Sequence, residues 1–303
     1  MIRDLRSGRV NAALPRSESL AFAREQVLGV GRTGNRANAE TSIGAFTIAV
    51  TAPRLATCKR GLAAHLAAHL AATKATSGLK VCVLDTDLES RDVGMRFGIG
   101  EPSLLDIAND LSLRDDAARL PEAIARLRAP ELSVVPVQVP LPPLLPMLYN
   151  RAVSLLDQLR AAFDFVVVDV PIGFGSNGEA WEEAMLERID ALLVAVSAEP
   201  SAFGGALRYL NTLGSLRTRR AIPGTFDTHL VLTGSEDDGS RSLATERALD
   251  RKLRGVPVLA SIPQLWGRRM PRVGDTVDMP LRLHEEFAAI VSALTGVGSR
   301  SAD

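Results

Sequence analysis

The chain has 303 residues, 46% hydrophobic and only 4% aromatic, so it can bury a full core built mainly of Ala, Leu, Val and Ile. Its 35 basic and 35 acidic residues cancel, which excludes a global basic footprint and confines any affinity for nucleic acid or membrane to a local patch. Two cysteines, Cys58 and Cys82, are too few for a metal framework, and no apolar run approaches the roughly 18 residues that span a bilayer, so a reduced, cytoplasmic protein without an integral membrane segment is expected.

Residues 1–43 lack a sustained apolar period and carry Gly, Ser, Asn and Arg clusters; they read as a flexible N-terminal extension, with Ser19–Leu28 as its one helical stretch. From Phe46 onward short apolar runs alternate with longer amphipathic ones. The predicted order is strand Phe46–Thr51, helix Arg60–Thr73, strand Lys80–Leu84, helix Pro121–Leu127, strand Leu132–Val137 and helix Leu148–Phe163. Strand Phe165–Val170, helix Gly178–Arg188, strand Ala191–Val196, helix Ser201–Leu216, strand Thr228–Leu232, helix Ser242–Leu253, strand Pro257–Ser261 and helix Leu281–Leu294 follow. The strands are continuous Val/Leu/Ile runs, as strands covered on both faces must be. The expected class is therefore α/β, a doubly wound, mostly parallel sheet with helices on both faces. One domain over 44–296 and a short tail, 297–303, complete the organisation.

Ligands of open α/β sheets bind beyond the carboxyl ends of the strands. The first strand there runs into Thr51-Ala52-Pro53-Arg54-Leu55-Ala56-Thr57-Cys58-Lys59-Arg60-Gly61 with a helix directly after it, which is the layout of a phosphate-binding loop. The second strand ends in Asp85-Thr86-Asp87 and the one over 165–170 in Asp169-Val170-Pro171. Each places a carboxylate just past a buried strand.

These segments resemble the ParA/MinD family of deviant P-loop ATPases, whose first loop is usually K-G-G-x-G-K-T and whose later strands end in D-x-D and D-x-P. On that resemblance Lys59 is the P-loop lysine and Arg54 stands at the signature lysine. Asp85 matches the aspartate that positions the attacking water, Asp169 the Walker B aspartate, and Arg60 and Asp87 are further cofactor-binding positions. Ala191–Ser201, Val258–Pro263 and Gly274–Leu281 resemble later family segments, so the likeness covers residues 44–296. Phe163–Pro171 is most similar to the CpaE/TadZ pilus-assembly branch. The resemblance implies ATP or ADP as ligand, a homodimer, and protein partners in bacterial polar, pilus or partition machinery.

The departures shape the functional expectation. Leu55, Ala56 and Cys58 stand at the family's glycine positions, where a left-handed backbone costs a residue with a Cβ on the order of 1–2 kcal/mol. Arg60 replaces the Thr whose hydroxyl ligates Mg²⁺, and a guanidinium offers a metal no lone pair. The family's adenine-reading asparagine is missing from Val231–Ser235. The expectation is a positioning or regulatory protein with a degenerate nucleotide site that acts through partner binding, its hydrolysis weak or lost. The alternative is an active Mg-ATPase of the same family serving pilus localisation or chromosome and plasmid partitioning. A third reading, nonspecific DNA binding, would use Arg217, Arg219 and Arg220, which also suit a helix end. His65 and His69 have the i, i+4 spacing of a zinc pair, but their Ala and Leu surroundings favour the core.

Overall fold

The computed structural model describes residues 45–53, 59, 61–74, 78–88, 90–110, 119–128, 131–137, 145–176, 178–220, 226–235, 242–253, 255–263 and 281–295. The helix expected over Ser19–Leu28, the 297–303 tail, and Arg54 and Arg60 lie outside them. The chain divides into two units, Ala39–Val291 and a second comprising Met1–Asn38 with Ser292–Asp303. Of the second unit only residues 292–295 are among those described.

The first unit begins with β1 (Phe46–Thr51), α1 (Leu62–Lys74), β2 (Val81–Asp85) and the short helices α2 (Asp92–Phe97), α3 (Leu104–Asn109) and α4 (Leu120–Ala123). It continues with β3 (Ala125–Arg128), β4 (Glu131–Val135), α5 (Leu145–Ala162), β5 (Phe165–Asp169), α6 (Ala180–Leu186) and β6 (Ala191–Ser197). Last come α7 (Phe203–Arg220), β7 (Asp227–Ser235), α8 (Leu243–Lys252), β8 (Val258–Pro263) and α9 (Leu281–Thr295), the last helix passing at residue 292 into the second unit.

Eight strands form one sheet in the order β3-β4-β2-β5-β1-β6-β7-β8. Every neighbouring pair is parallel except β3 with β4. This arrangement follows from the composition of the central strands, where β2 and β5 read VCVLD and FVVVD and are buried at every position. β-branched residues fit a pleated surface, and an unbroken apolar run needs cover on both sides. On one side Leu84, Val166, Val168, Leu192, Val194 and Leu230 share a core with Leu155 and Leu159 of α5, Met185 of α6, Leu213 of α7 and Leu249 of α8. On the other, Ile48, Val50, Val83 and Val167 are buried, and α1 packs against β1, β2, β4 and β5 through the fully buried Leu62, Leu66 and Leu70.

α1 is apolar almost all round, LAAHLAAHLAATK, as a helix covered on most sides should be. Its two histidines lie against Phe287 of α9, His65 stacked with ring centroids 6.3 Å apart and His69 tilted at 6.0 Å. Burial, with Arg96 nearby, pushes the His65 imidazole down to about 3, so it packs as a neutral ring.

One predicted element is corrected. The helix expected over Pro121–Leu127 stops at Ala123, Ile124 is extended at φ −96° and ψ 144°, and Ala125–Arg128 becomes the antiparallel edge strand β3. Ala-Arg-Leu-Arg alternates with period two, and pairing with β4, reinforced by an Arg126–Glu131 ion pair, overrides the helical propensity of the segment. The helices α2 and α3 were not expected. Each is six residues long, and α3 is set by a capping box in which Ser103 accepts from the Asp106 amide while Asp106 accepts from the Ser103 amide.

Candidate functional site

Strand register brings the carboxyl ends of β1, β5 and β2 level. Val50 pairs with Asp169, and Asp169 with Asp85. Backbone and hydroxyl contacts then tie the strand exits together. The Thr51 hydroxyl donates to the Pro171 carbonyl (2.8 Å), and the Gly173 amide to the Ala52 carbonyl (2.8 Å). Thr86 donates from both its amide (2.9 Å) and its hydroxyl (2.8 Å) to the Asp169 carbonyl. The Asp87 amide turns back onto Asp85 Oδ1 at 3.0 Å.

Lys59 enters this rim from the start of α1. The Leu62 amide donates to its carbonyl, and Gly61 at φ 81° makes the turn into the helix, a conformation that suits a residue without a Cβ. The Lys59 ammonium sits 2.5 Å from Asp87 Oδ2 and 2.8 Å from Asp169 Oδ1. Lys59 and Asp87 are each 3% exposed, Asp169 is 1% and Asp85 is 0%. Asp85 Oδ2 has no hydrogen-bond partner among the described residues.

Burial pushes the Lys59 ammonium down, but the charges of Asp169 and Asp87 together outweigh it and the net direction is up. The Asp85 carboxyl is held well above the carboxylate range, by burial first and then by the charge of Asp169. Burial also raises Asp169, to about 6, with Lys59 opposing and Asp87 and Asp92 adding to the rise. The physical picture is three buried carboxyl groups sharing one ammonium.

The structure thus brings Lys59, Asp85, Asp87 and Asp169 together, while Arg54 and Arg60 lie outside the described residues. Asp92 of α2 was missed. It is 5% exposed and contributes to the field at Asp169, but no spacing signal points to it because its helix is too short to leave a period. Of the arginines at the end of α7, Arg217 lies over the Phe226 ring, 4.3 Å from its centroid, and Arg219 donates to the Ser215 carbonyl one turn back. Both thus have local structural contacts, as a helix end provides.

A phosphate suits the position of the Lys59 ammonium at the head of α1, provided it displaces a carboxylate. Among the described residues no three His, Cys, Asp or Glu side chains are arranged to hold a metal ion, and Arg60 supplies no hydroxyl.

The order of the strands and the lysine at the first strand-to-helix turn define a P-loop NTPase-like α/β fold. No protein-family model and no curated protein sequence matches the chain. Solved structures of ParA/MinD-type ATPases do. The ParA family ATPase of Chlorobium tepidum TLS superposes with a TM-score of 0.63 at 16% identity, over 81% of this chain and 98% of that one. The MinC:MinD cell division complex of Aquifex aeolicus gives 0.59 at 18% identity, over 86% and 99%. The ATP complex of a Cyanothece McdA variant gives 0.58 at 16% identity, over 86% and 99%. The chain therefore has the fold of these ATPases along nearly their whole length.

Proposed function

We propose that the protein is a ParA/MinD-type positioning or regulatory protein, similar to the CpaE/TadZ branch, that retains an anion site and works through protein partners in place of rapid nucleotide turnover. The observation that carries this reading is the Lys59 ammonium held at the carboxyl ends of β1, β2 and β5 beside Asp87 and Asp169, on the fold of proteins that include an ATP-bound McdA and a MinC-bound MinD. The composition of the loop supports the loss of turnover. Leu55, Ala56 and Cys58 supply side chains where a phosphate cradle needs bare backbone, and Arg60 removes the hydroxyl ligand of magnesium.

In this reading Lys59 attracts phosphate, Asp169 and Asp87 orient the ammonium, and Asp85 lines the rim. Where bound, the nucleotide supplies the charge that draws Lys59 away from its carboxylates. We further propose that 1–43 is an extension carried by the domain, and that the protein acts as a homodimer in the bacterial cytoplasm. Among the described residues no helix is long and apolar enough to cross a membrane.

Calorimetric titration of the whole chain with ATP and ADP, with and without Mg²⁺, tests the proposal. Binding of similar strength in both conditions is expected. Binding that appears only with magnesium would overturn it in favour of an active Mg-ATPase, and absence of binding would remove the nucleotide from the account.

A further inference from the structure

The ion pairs at the rim carry a consequence for how a ligand enters. Lys59 is almost fully enclosed, and among the described residues its ammonium is paired with carboxylates at 2.5 and 2.8 Å. A charged amine in such a place is stable only while paired, and truncating one partner of a buried pair is costly because the other charge is left alone. An incoming phosphate must therefore replace a carboxylate. It cannot simply add, since it would bring more negative charge to a cluster that already sets three buried carboxyl groups against one ammonium.

The two carboxylates are not equivalent. Asp169 is the last residue of β5, paired with Val50 on one side and Asp85 on the other, and its carbonyl receives both Thr86 donors. Asp87 lies beyond the end of β2 on a turn, with Oδ1 accepting from the Ser90 amide at 3.3 Å. The same turn places Arg91, whose amide donates to the Asp87 carbonyl, at φ 49°, a left-handed conformation disfavoured for a residue with a Cβ. Asp87 thus pairs with Lys59 from a turn beyond the strand ladder, while Asp169 pairs with it from the centre of the sheet.

We infer that Asp87 is an internal competitor for the site: its carboxylate occupies the Lys59 ammonium, and an anionic ligand binds by exchanging with it. The inference rests on the proposed function in taking a nucleotide phosphate as that anion. It assigns Asp87 a role opposite to that of a cofactor-holding residue, since removing its charge strengthens binding.

The test uses the full chain and Asp87→Asn, which keeps an oxygen for the Ser90 amide; Asp87→Ala serves as a second variant should the first not fold. Acylation of lysines by an N-hydroxysuccinimide ester, read by peptide mass spectrometry against the exposed Lys80 and Lys252, reports release of Lys59 without any ligand. Lys59 is expected to react about tenfold faster in the variant, and ATP to bind about tenfold more tightly, the weight of one buried charge contact. Unchanged acylation of Lys59 overturns the inference. So does ATP affinity that stays level or falls in a variant whose parent binds ATP. Release of Lys59 with no ATP bound by either protein upholds the pairing by Asp87 and refutes the nucleotide reading, so the two failures are distinguishable.

Discussion

Lys59, Asp85, Asp87 and Asp169 are withdrawn from water at the end of the sheet, and one of the four is a cation. The imbalance has a sign that solution measurements can read. Asp169 is raised to about 6 and Asp85 well above its ordinary value, both chiefly by burial, so the native state binds more protons than the unfolded chain across this range. Stability from these groups is therefore fully present below about pH 4 and is lost as pH rises through about 6 for Asp169, with Asp85 extending the loss upward. Lys59 has the opposite chemistry. Its raised value contributes stability at all pH below its ordinary 10.5 and does not enter this window. Asp85→Asn keeps the acceptor for the Asp87 amide while removing a buried titrating group. It is expected to stabilise the fold at pH 8 by about 1–3 kcal/mol and to flatten the fall in stability from pH 5 to pH 8. Urea unfolding at the two pH values checks this, and a variant as pH-dependent as its parent would contradict the assignment. Lys59, Asp85 and Asp169 were legible as a group because each ends or follows a buried run. That Asp87 pairs with the lysine was not, since 28 residues separate the two and spacing does not say which of several carboxylates an ammonium will meet.

At the scale of elements, the site depends on how helices on one face grip the loops leaving the strands. Tyr209 of α7 is buried, and its hydroxyl donates to the Phe174 carbonyl at 2.6 Å, in the loop that follows Asp169 and whose Gly173 amide is tied to Ala52. Tyr209→Phe leaves that buried carbonyl without this donor, with an expected cost of about 1–2 kcal/mol and an unchanged dependence on denaturant. A shift of the urea midpoint is the readout, and a midpoint equal to that of the parent would show that the contact contributes nothing. The seven parallel strands could be read from the sequence because burial on both faces demands unbroken apolar residues. β3 could not, because a four-residue edge strand takes its conformation from β4 more than from its own residues. α2 and α3 were hidden for a related reason. Six residues make less than two turns, and what fixes α3 is a local cap, not a period.

At the scale of the whole chain, 81–86% of its length shares a fold with ATPases at 16–18% identity, and a shared fold leaves the activity open. The alternation of strands and helices was enough to anticipate that fold, since few connections between parallel strands are sterically allowed. On the proposed function, activity turns on a handful of atoms at one rim. The most direct measurement is steady-state ATP turnover with Mg²⁺ by the full chain and by Lys59→Ala. On the proposed function, no turnover above that of the variant is expected, because the ammonium is held by carboxylates and Arg60 offers a metal no hydroxyl. Turnover by the parent chain that Lys59→Ala abolishes would contradict it.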